Sequence, residues 1–214
     1  MDVRIREAVA EDAPFLAWVM QTAARSHRPI SFWDLAFPGP DGPRLEYISE
    51  LALLEPRSFA HYGGFLIAEA DGRPVAGLSG YESTHQNMDA FLESIVSLTA
   101  ARGWSVEHQA LLFARMAPAA TCMPDSPPDV WVIEWVAATP SARGKGVANA
   151  LLRAILDRGR AKGYARSQIG YLLGNTPARA AYERVGFETV EEKRHPAFEE
   201  AFGSPGIARM VRDL

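Results

Sequence analysis

The chain has 214 residues, and its 22 basic side chains are outnumbered by 26 acidic ones for a net charge of −4, which excludes a general nucleic-acid-binding surface and mildly favours a cationic substrate. A hydrophobic content of 48% is ordinary for a globular domain, and the single cysteine, Cys122, excludes an internal disulfide. Met1 to Arg6 lacks the basic-then-apolar pattern of a signal peptide and no stretch approaches the ~20 apolar residues that cross a bilayer, so the expectation is one cytoplasmic domain over 1–214, off the membrane.

Val3 to Glu7 alternates apolar and charged residues, as a strand with one wet face does. Glu11 to Ala24 reads as a helix with Phe15, Leu16, Val19 and Met20 on one side and acidic residues in the first turn, where they suit the helix dipole. Arg25 to Pro43, aromatic and rich in Pro and Gly, reads as a loop fit to line a pocket, and Leu45 to Leu54 as a helix ending before Pro56. Phe65 to Ala70 and Arg73 to Tyr81 flank Asp71-Gly72, which supplies the positive φ angles of a tight hairpin. Residues 84–129 far exceed the ~4–6 residues of an ordinary connection. Phe91, Leu92, Ile95, Val96 and Leu98 recur at helical spacing, as do Val106, Ala110, Leu111, Phe113 and Ala114, before Pro124, Pro127 and Pro128 break the pattern. This is a helical insertion whose apolar stripes either pack on the domain or form a substrate lid or dimer surface.

Val130 to Ala138 is an apolar strand that leads through Arg143-Gly144-Lys145-Gly146-Val147-Ala148 into a helix with Val147, Leu151, Leu152, Ile155 and Leu156 on one face and Lys162-Gly163 at its stop. Ala165 to Leu173 is the next strand, Tyr182 sits on a short helix that Gly186 ends, and Phe187 to Glu192 pairs antiparallel with Ile207 to Val211 across a loop from Pro196 to Pro205. A glycine-rich strand-to-helix turn offers unpaired N–H groups and the positive end of a helix dipole, so its ligand should carry phosphate. A nucleotide P-loop fails, because Val147 follows Gly146 where a lysine is required, and a dinucleotide fingerprint fails at Asn149, where a glycine or alanine is required.

What fits is R-x-x-G-x-A, formed by Arg143, Gly146 and Ala148 after Thr139-Pro140. It resembles the pyrophosphate-binding motif of the GNAT superfamily, the acetyl-CoA-dependent N-acetyltransferases. Asn175 to Phe187, an asparagine, a short helix with Tyr182 and then Gly186-Phe187, resembles that family's second signature, and the two cover roughly residues 130 to 190. The resemblance implies an α/β fold with a mixed, mostly antiparallel sheet flanked by helices, in which two parallel strands splay apart to admit acetyl-CoA as cosubstrate. It implies transfer of the acetyl group to a primary amine by direct attack in a ternary complex. Carried onto this sequence, the cofactor contacts are Val136, Ala137, Ala138, Arg143, Gly144, Lys145, Gly146, Val147, Ala148, Asn175 and Tyr182, with an oxyanion-binding N–H near Val136 or Ala137.

The chemistry needs a base for the ammonium ion and a donor for the departing thiolate. Glu134 is the only charged residue between Val130 and Ala142, and strand alternation puts it on the face of Val132 and Val136, opposite Trp131, Ile133 and Trp135. Apolar neighbours would raise it toward the range of a base, whereas a nearby arginine would make it merely structural. Tyr182 is the expected acid or, read plainly, an aromatic anchor, and Asn175 either meets the pantetheine or caps its helix. Glu82 and His85 are fallback bases, while Phe32, Trp33 and Asp34 are candidates for holding a cationic acceptor unless the two aromatics simply close the core. No pair among the five histidines has metal-ligand spacing and no G-x-S-x-G appears, so neither a metal nor a serine nucleophile is expected. The expected partner is a small-molecule or peptide amine, with a homodimer as a further expectation of the insertion. Two other readings share the turn: a non-catalytic CoA-binding module, and a nucleotide-binding protein.

Overall fold

A computed structural model describes residues 2–214. Strands β1 (Arg4–Glu7), β2 (Phe65–Ala70), β3 (Arg73–Glu82), β4 (Val130–Ala138), β5 (Arg166–Leu172), β6 (Glu188–Arg194) and β7 (Gly206–Asp213) form one sheet in the order β1-β2-β3-β4-β5-β7-β6. Only β4 and β5 run parallel; every other neighbouring pair is antiparallel. The helices are α1 (Ala13–Arg25), α2 (Phe32–Ala36), α3 (Asp41–Leu51), α4 (Met88–Ala101), α5 (Val106–Ala120), α6 (Val147–Ala161), α7 (Thr176–Arg184) and α8 (Pro196–Phe202). No helix among the described residues is long and apolar enough to cross a membrane.

The expected elements form, with two corrections where loops were read. Inside 25–43 lies α2, started by Ser31, whose N–H and hydroxyl both donate to the Asp34 carboxylate at 2.8 and 2.6 Å. Inside 196–205 lies α8, which Pro196 opens and Gly203, at φ 65°, closes. Dense Pro, Gly and aromatic residues masked both short helices. The hairpin turn forms as its sequence dictates, with φ 51° at Asp71 and 71° at Gly72.

The sheet carries a core on each face. Leu151, Leu152, Ile155 and Leu156 of α6 bury against Leu78, Trp131 and Ile133, while α1, α2 and α4 pack Leu16, Trp33, Phe91 and Ile95 on the other face against Tyr81 and Val132. Trp131 locks α6 to the sheet: a Cβ at Gly80 or Gly159 would stand 2.6 or 2.7 Å from its ring, and its Nε1 donates to the Ile155 carbonyl at 3.1 Å. Burial of such a ring is worth ~3–5 kcal/mol, and both glycines are what admit it.

The insertion folds as α4 and α5, but the inward face of α5 is not the expected one. Leu112 is its buried residue, Phe113 and Met116 are half-buried, and Val106 and Leu111 stand 76% and 52% exposed. The α5 helix reaches from α2 to α8, touching both.

Between β4 and β5 the ladder runs from Val130 opposite Arg166 to Ile133 opposite Ile169 and then stops. Beyond it β4 keeps pairing with β3 alone, through a bulge: Ser79 faces Glu134, Gly77 faces Ala137, and Trp135 takes φ 59°. The extra residue corrects the simple alternation. Trp135 swings into the core of Val132 and Trp33, and Val136 goes to the α6 side with Trp131 and Ile133. The splay and the bulge together open a cleft in the middle of the sheet.

Candidate active site

Glu134 sits at the lip of this cleft, the last residue of β4 before the bulge. It is half-buried, and among the described residues no arginine, lysine or other side chain hydrogen-bonds or ion-pairs with its carboxylate. Burial pushes the carboxyl up to about 7. Tyr182 comes to the same cleft from α7, packed edge-on against Tyr171 and Phe187. Burial, and then the nearby Glu134 charge, raise its phenol well above the usual range, so it stays protonated at neutral pH. Among the described residues its hydroxyl has no hydrogen-bond partner, and it is not sealed from solvent, leaving a donor free in the cleft.

The strand-to-helix turn is open on the side that a ligand would approach. Gly144 and Gly146 hold φ 73° and 78°, and nothing lies within 4 Å of where their side chains would be. Among the described residues the amides of Gly144, Gly146, Val147 and Ala148 reach no acceptor, and they lead the fifteen-residue α6, whose dipole reinforces them. Arg143 is exposed beside them with Nε 3.3 Å from the Ala138 carbonyl, and Lys145 is exposed. Because the Thr139 amide donates to Val75 of β3 at 2.8 Å, alternation turns the Val136 and Ala138 amides the other way, into the cleft, and the Ala137 amide toward β3. Among these residues the donors match a diphosphate at the turn and a carbonyl oxygen along β4.

Asn175 is occupied within the fold. Its carbonyl oxygen caps α7 at 3.1 Å from the Ala178 amide, and its amide donates to the Ser26 hydroxyl at the end of α1. The cap is the plainer of its two expected roles. Ser26, in a positive-φ conformation at 57°, and His27, beside Gly174, are contacts that sequence reasoning missed.

The residues expected to hold the acceptor are corrected by their surroundings. Trp33 is fully buried among Phe37, Phe91 and Trp135, so it closes the core. Burial would raise the Asp34 carboxyl, but hydrogen bonds from Arg25 and Ser31 outweigh it and hold it down to about 2. Arg44, itself buried, adds an ion pair at 3.0 Å, so no free carboxylate remains for a cation. Glu82 pairs with Lys162 of the α6 layer at 2.6 Å, on the sheet face away from Glu134, and His85 is exposed in the turn after β3. Neither reaches the cleft. Phe32 is half-buried and leans on Trp135 with ring centroids 5.7 Å apart, close to the bulge.

On the face shared by Glu134, three further polar groups gather that the sequence reading passed over. Tyr81 of β3 and Gln168 of β5 lie opposite Val132 in one row across the sheet. Ser126, from the loop before β4, accepts from Gln168 Nε2 at 3.1 Å. A glutamine inside a buried apolar strand was the available signal. In the next row Gly170 stays exposed despite its central strand, because β4 has departed and glycine fills nothing; a Cβ there would first meet Ile207. Over this floor α5, α8 and Cys122 form a small apolar roof with Phe198 and Phe202.

A mixed sheet splayed at its one parallel pair, with an open-amide turn and a carboxylate and phenol at the split, defines an acyltransferase-type α/β fold. The model of the acetyltransferase (GNAT) family matches residues 112–187, which hold β4, the turn, α6, β5 and α7. Over these residues, about a third of the chain, the sequence is similar to the acetyltransferase (GNAT) family. Among solved structures it is similar to an acetyltransferase at 17% identity and TM-score 0.71, with 98% of each chain covered. It is also similar to an N-acetyltransferase from Staphylococcus aureus Mu50, at 16% identity and TM-score 0.68, covering 98% of this chain and 100% of that one. A third, yncA from Salmonella typhimurium, was solved with its cofactor acetyl-CoA; it is 15% identical with TM-score 0.55 over 100% of this chain and 95% of that one. At these identities the likeness is one of fold. No curated protein matches the chain.

Proposed function

We propose that the protein is an N-acetyltransferase that moves an acetyl group from acetyl-CoA to a primary amine by direct attack in a ternary complex. The observation that carries this reading is the convergence of Glu134 and Tyr182 on one cleft, close enough for the carboxylate to raise the phenol. The diphosphate of the cosubstrate belongs at the Gly144 to Ala148 amides with Arg143 beside them, and the thioester between the parted strands. A single domain with α4 and α5 as an added roof on the acceptor side fits this plan.

Glu134 takes a proton from the bound ammonium, directly or through water, and frees the nitrogen lone pair to form the C–N bond. The Val136 amide donates to the oxygen of the tetrahedral intermediate. As the C–S bond breaks, Tyr182 gives its proton to the sulfur. The second nitrogen proton restores the phenol, and Glu134 returns its own to solvent, leaving an amide, a thiol and one proton.

The test is acetyl-CoA consumption over a panel of primary amines, including a peptide N-terminus. Glu134→Gln is expected to lower kcat by ~10²–10³-fold and Tyr182→Phe by ~10-fold or more, with CoA affinity retained. CoA binding without turnover on any amine would instead select the non-catalytic module, and tighter binding of ATP or NAD than of CoA would select a nucleotide-binding protein.

A further inference from the structure

The connection between α1 and α2 crosses the C-terminal end of β5 and is held there residue by residue. Ser26 accepts from the Asn175 amide, His27 Nε2 stands 3.1 Å from where a Cβ of Gly174 would be, and Arg28 Cδ stands 3.9 Å from that of Gly203. Gly203 closes α8, which packs Phe198 and Phe202 against Leu172 of β5. Alternation puts Leu172 on the face of Gln168 and Gly170, and the pairing of Gln168 with Val132 makes this the face of Glu134. Arg28 therefore stands on the Glu134 side of the sheet, at the end of the apolar roof. The ladder to β4 stops at Ile169, so Leu172 lies ~10 Å beyond the split along β5.

Charge sets Arg28 apart from its neighbours. Arg25 holds Asp41 at 2.7 Å, and Arg44 holds Asp41 at 2.6 Å and Asp34 at 3.0 Å. Among the described residues Arg28 has no ion pair and no side-chain hydrogen bond, although the chain carries a net charge of −4. It is half-buried, and its Nε is sealed from solvent without a partner. The two Nη atoms are not sealed, so the group is tucked in at its base and presents its outer fork. A guanidinium drawn partly out of water with no counter-charge is costly, and its planar fork matches a carboxylate or phosphate through two parallel hydrogen bonds.

We propose that Arg28 is a specificity-determining residue that receives a carboxylate or phosphate carried by the acceptor at the end remote from its amine. This rests on the cleft being the acceptor site of an N-acetyltransferase, and it names the acceptor class: a primary amine with an anionic tail. The ammonium end meets Glu134 and the tail meets Arg28, so each end of the bound molecule lies on a group of opposite charge. A polyamine is disfavoured, because its second ammonium would face the guanidinium.

The test uses matched amines that differ only in the tail: β-alanine, γ-aminobutyrate and ε-aminocaproate against their amides, and O-phosphoethanolamine against ethanolamine. Acetyl-CoA consumption by the full chain is expected to show kcat/KM about tenfold or more higher for the anionic member of a pair, and the carboxylate and phosphate pairs tell the two groups apart. Arg28→Gln is expected to bring that pair to within about twofold, through KM and not kcat. Arg28→Lys keeps the charge without the fork and should recover part of the preference. Equal kcat/KM within every pair, or a preference that survives Arg28→Gln, overturns the inference. If no amine is turned over, calorimetric titration of the CoA-loaded protein with the same pairs decides. Tighter binding of an anionic member that Arg28→Gln abolishes would uphold the site and fell the transfer reading alone; no such preference would overturn both.

Discussion

Asn175 joins the two walls of the cleft: its amide donates to the Ser26 hydroxyl at the end of α1, while its carbonyl oxygen caps α7 at 3.1 Å from the Ala178 amide. One side chain therefore sets both the start of the helix that carries Tyr182 and its distance from the α1–α2 connection. Asn175→Ala removes a cap worth ~1 kcal/mol and the cross-link with it. The expected outcome is a lower Tm and a kcat reduced through misplacement of Tyr182, read by thermal denaturation and steady-state kinetics. Asn175→Asp, which keeps the capping oxygen and loses the donor, should recover the stability and not the full rate.

Glu134 couples stability to pH in the sense opposite to a paired carboxylate. Its carboxyl rises from 4.5 to about 7 on folding because it is buried. Across that window the folded chain holds a proton that the unfolded chain has lost, so stability falls as pH rises and is lowest above about 7. At ~1.4 kcal/mol per unit the loss amounts to roughly 3 kcal/mol. Glu134→Gln has no proton to lose: its Tm should match the wild type at pH 5 and exceed it at pH 8. In the wild type kcat/KM should rise with pH through about 7 as the base ionises. Equal Tm values at both pH values would mean that the carboxyl is not strained by burial.

Gly146 holds φ 78° at the start of α6 with nothing within 4 Å of a Cβ position. Alanine fits the space but not the conformation, which costs an L residue ~1–2 kcal/mol. Gly146→Ala should weaken CoA binding by roughly tenfold as the turn relaxes and its amides rotate away. Calorimetric titration with CoA checks this, and an unchanged Kd would place the diphosphate elsewhere.

The parts of this molecule that sequence made legible are those governed by local rules. Positive φ at Asp71-Gly72, the apolar face of α6 and the isolation of Glu134 in an apolar strand each follow from a few neighbouring residues. The face of Trp135 does not, because alternation assumes an unbroken ladder and the bulge beside Glu134 inserts one residue. The inward side of α5 was misread for a related reason: Val106 and Leu111 are spaced for a buried stripe, but the helix touches the protein along Leu112, Phe113 and Met116 as it crosses from α2 to α8. Tyr81 and Gln168 come from segments far apart in the chain, so only the register of β3, β4 and β5 puts them in one row with Val132, on the face of Glu134.

Asp34 separates a core role from a substrate role by experiment. Its carboxylate joins Arg25 at 2.5 Å and Arg44 at 3.0 Å and receives the Ser31 amide, tying α1, α2 and α3 together. Arg44 is buried, so Asp34→Ala leaves a desolvated guanidinium short of a partner and should destabilise the protein by about 3 kcal/mol at pH 7. Since the Asp34 carboxyl is held down to about 2, its contribution is present in full above the ordinary value of 3.8 and is lost as pH falls toward 2. Urea unfolding of Asp34→Ala and wild type should therefore differ at pH 7 and converge in strong acid, with the acceptor KM of the folded variant unchanged. A variant as stable as the wild type with a raised KM for cationic amines would return Asp34 to the acceptor site.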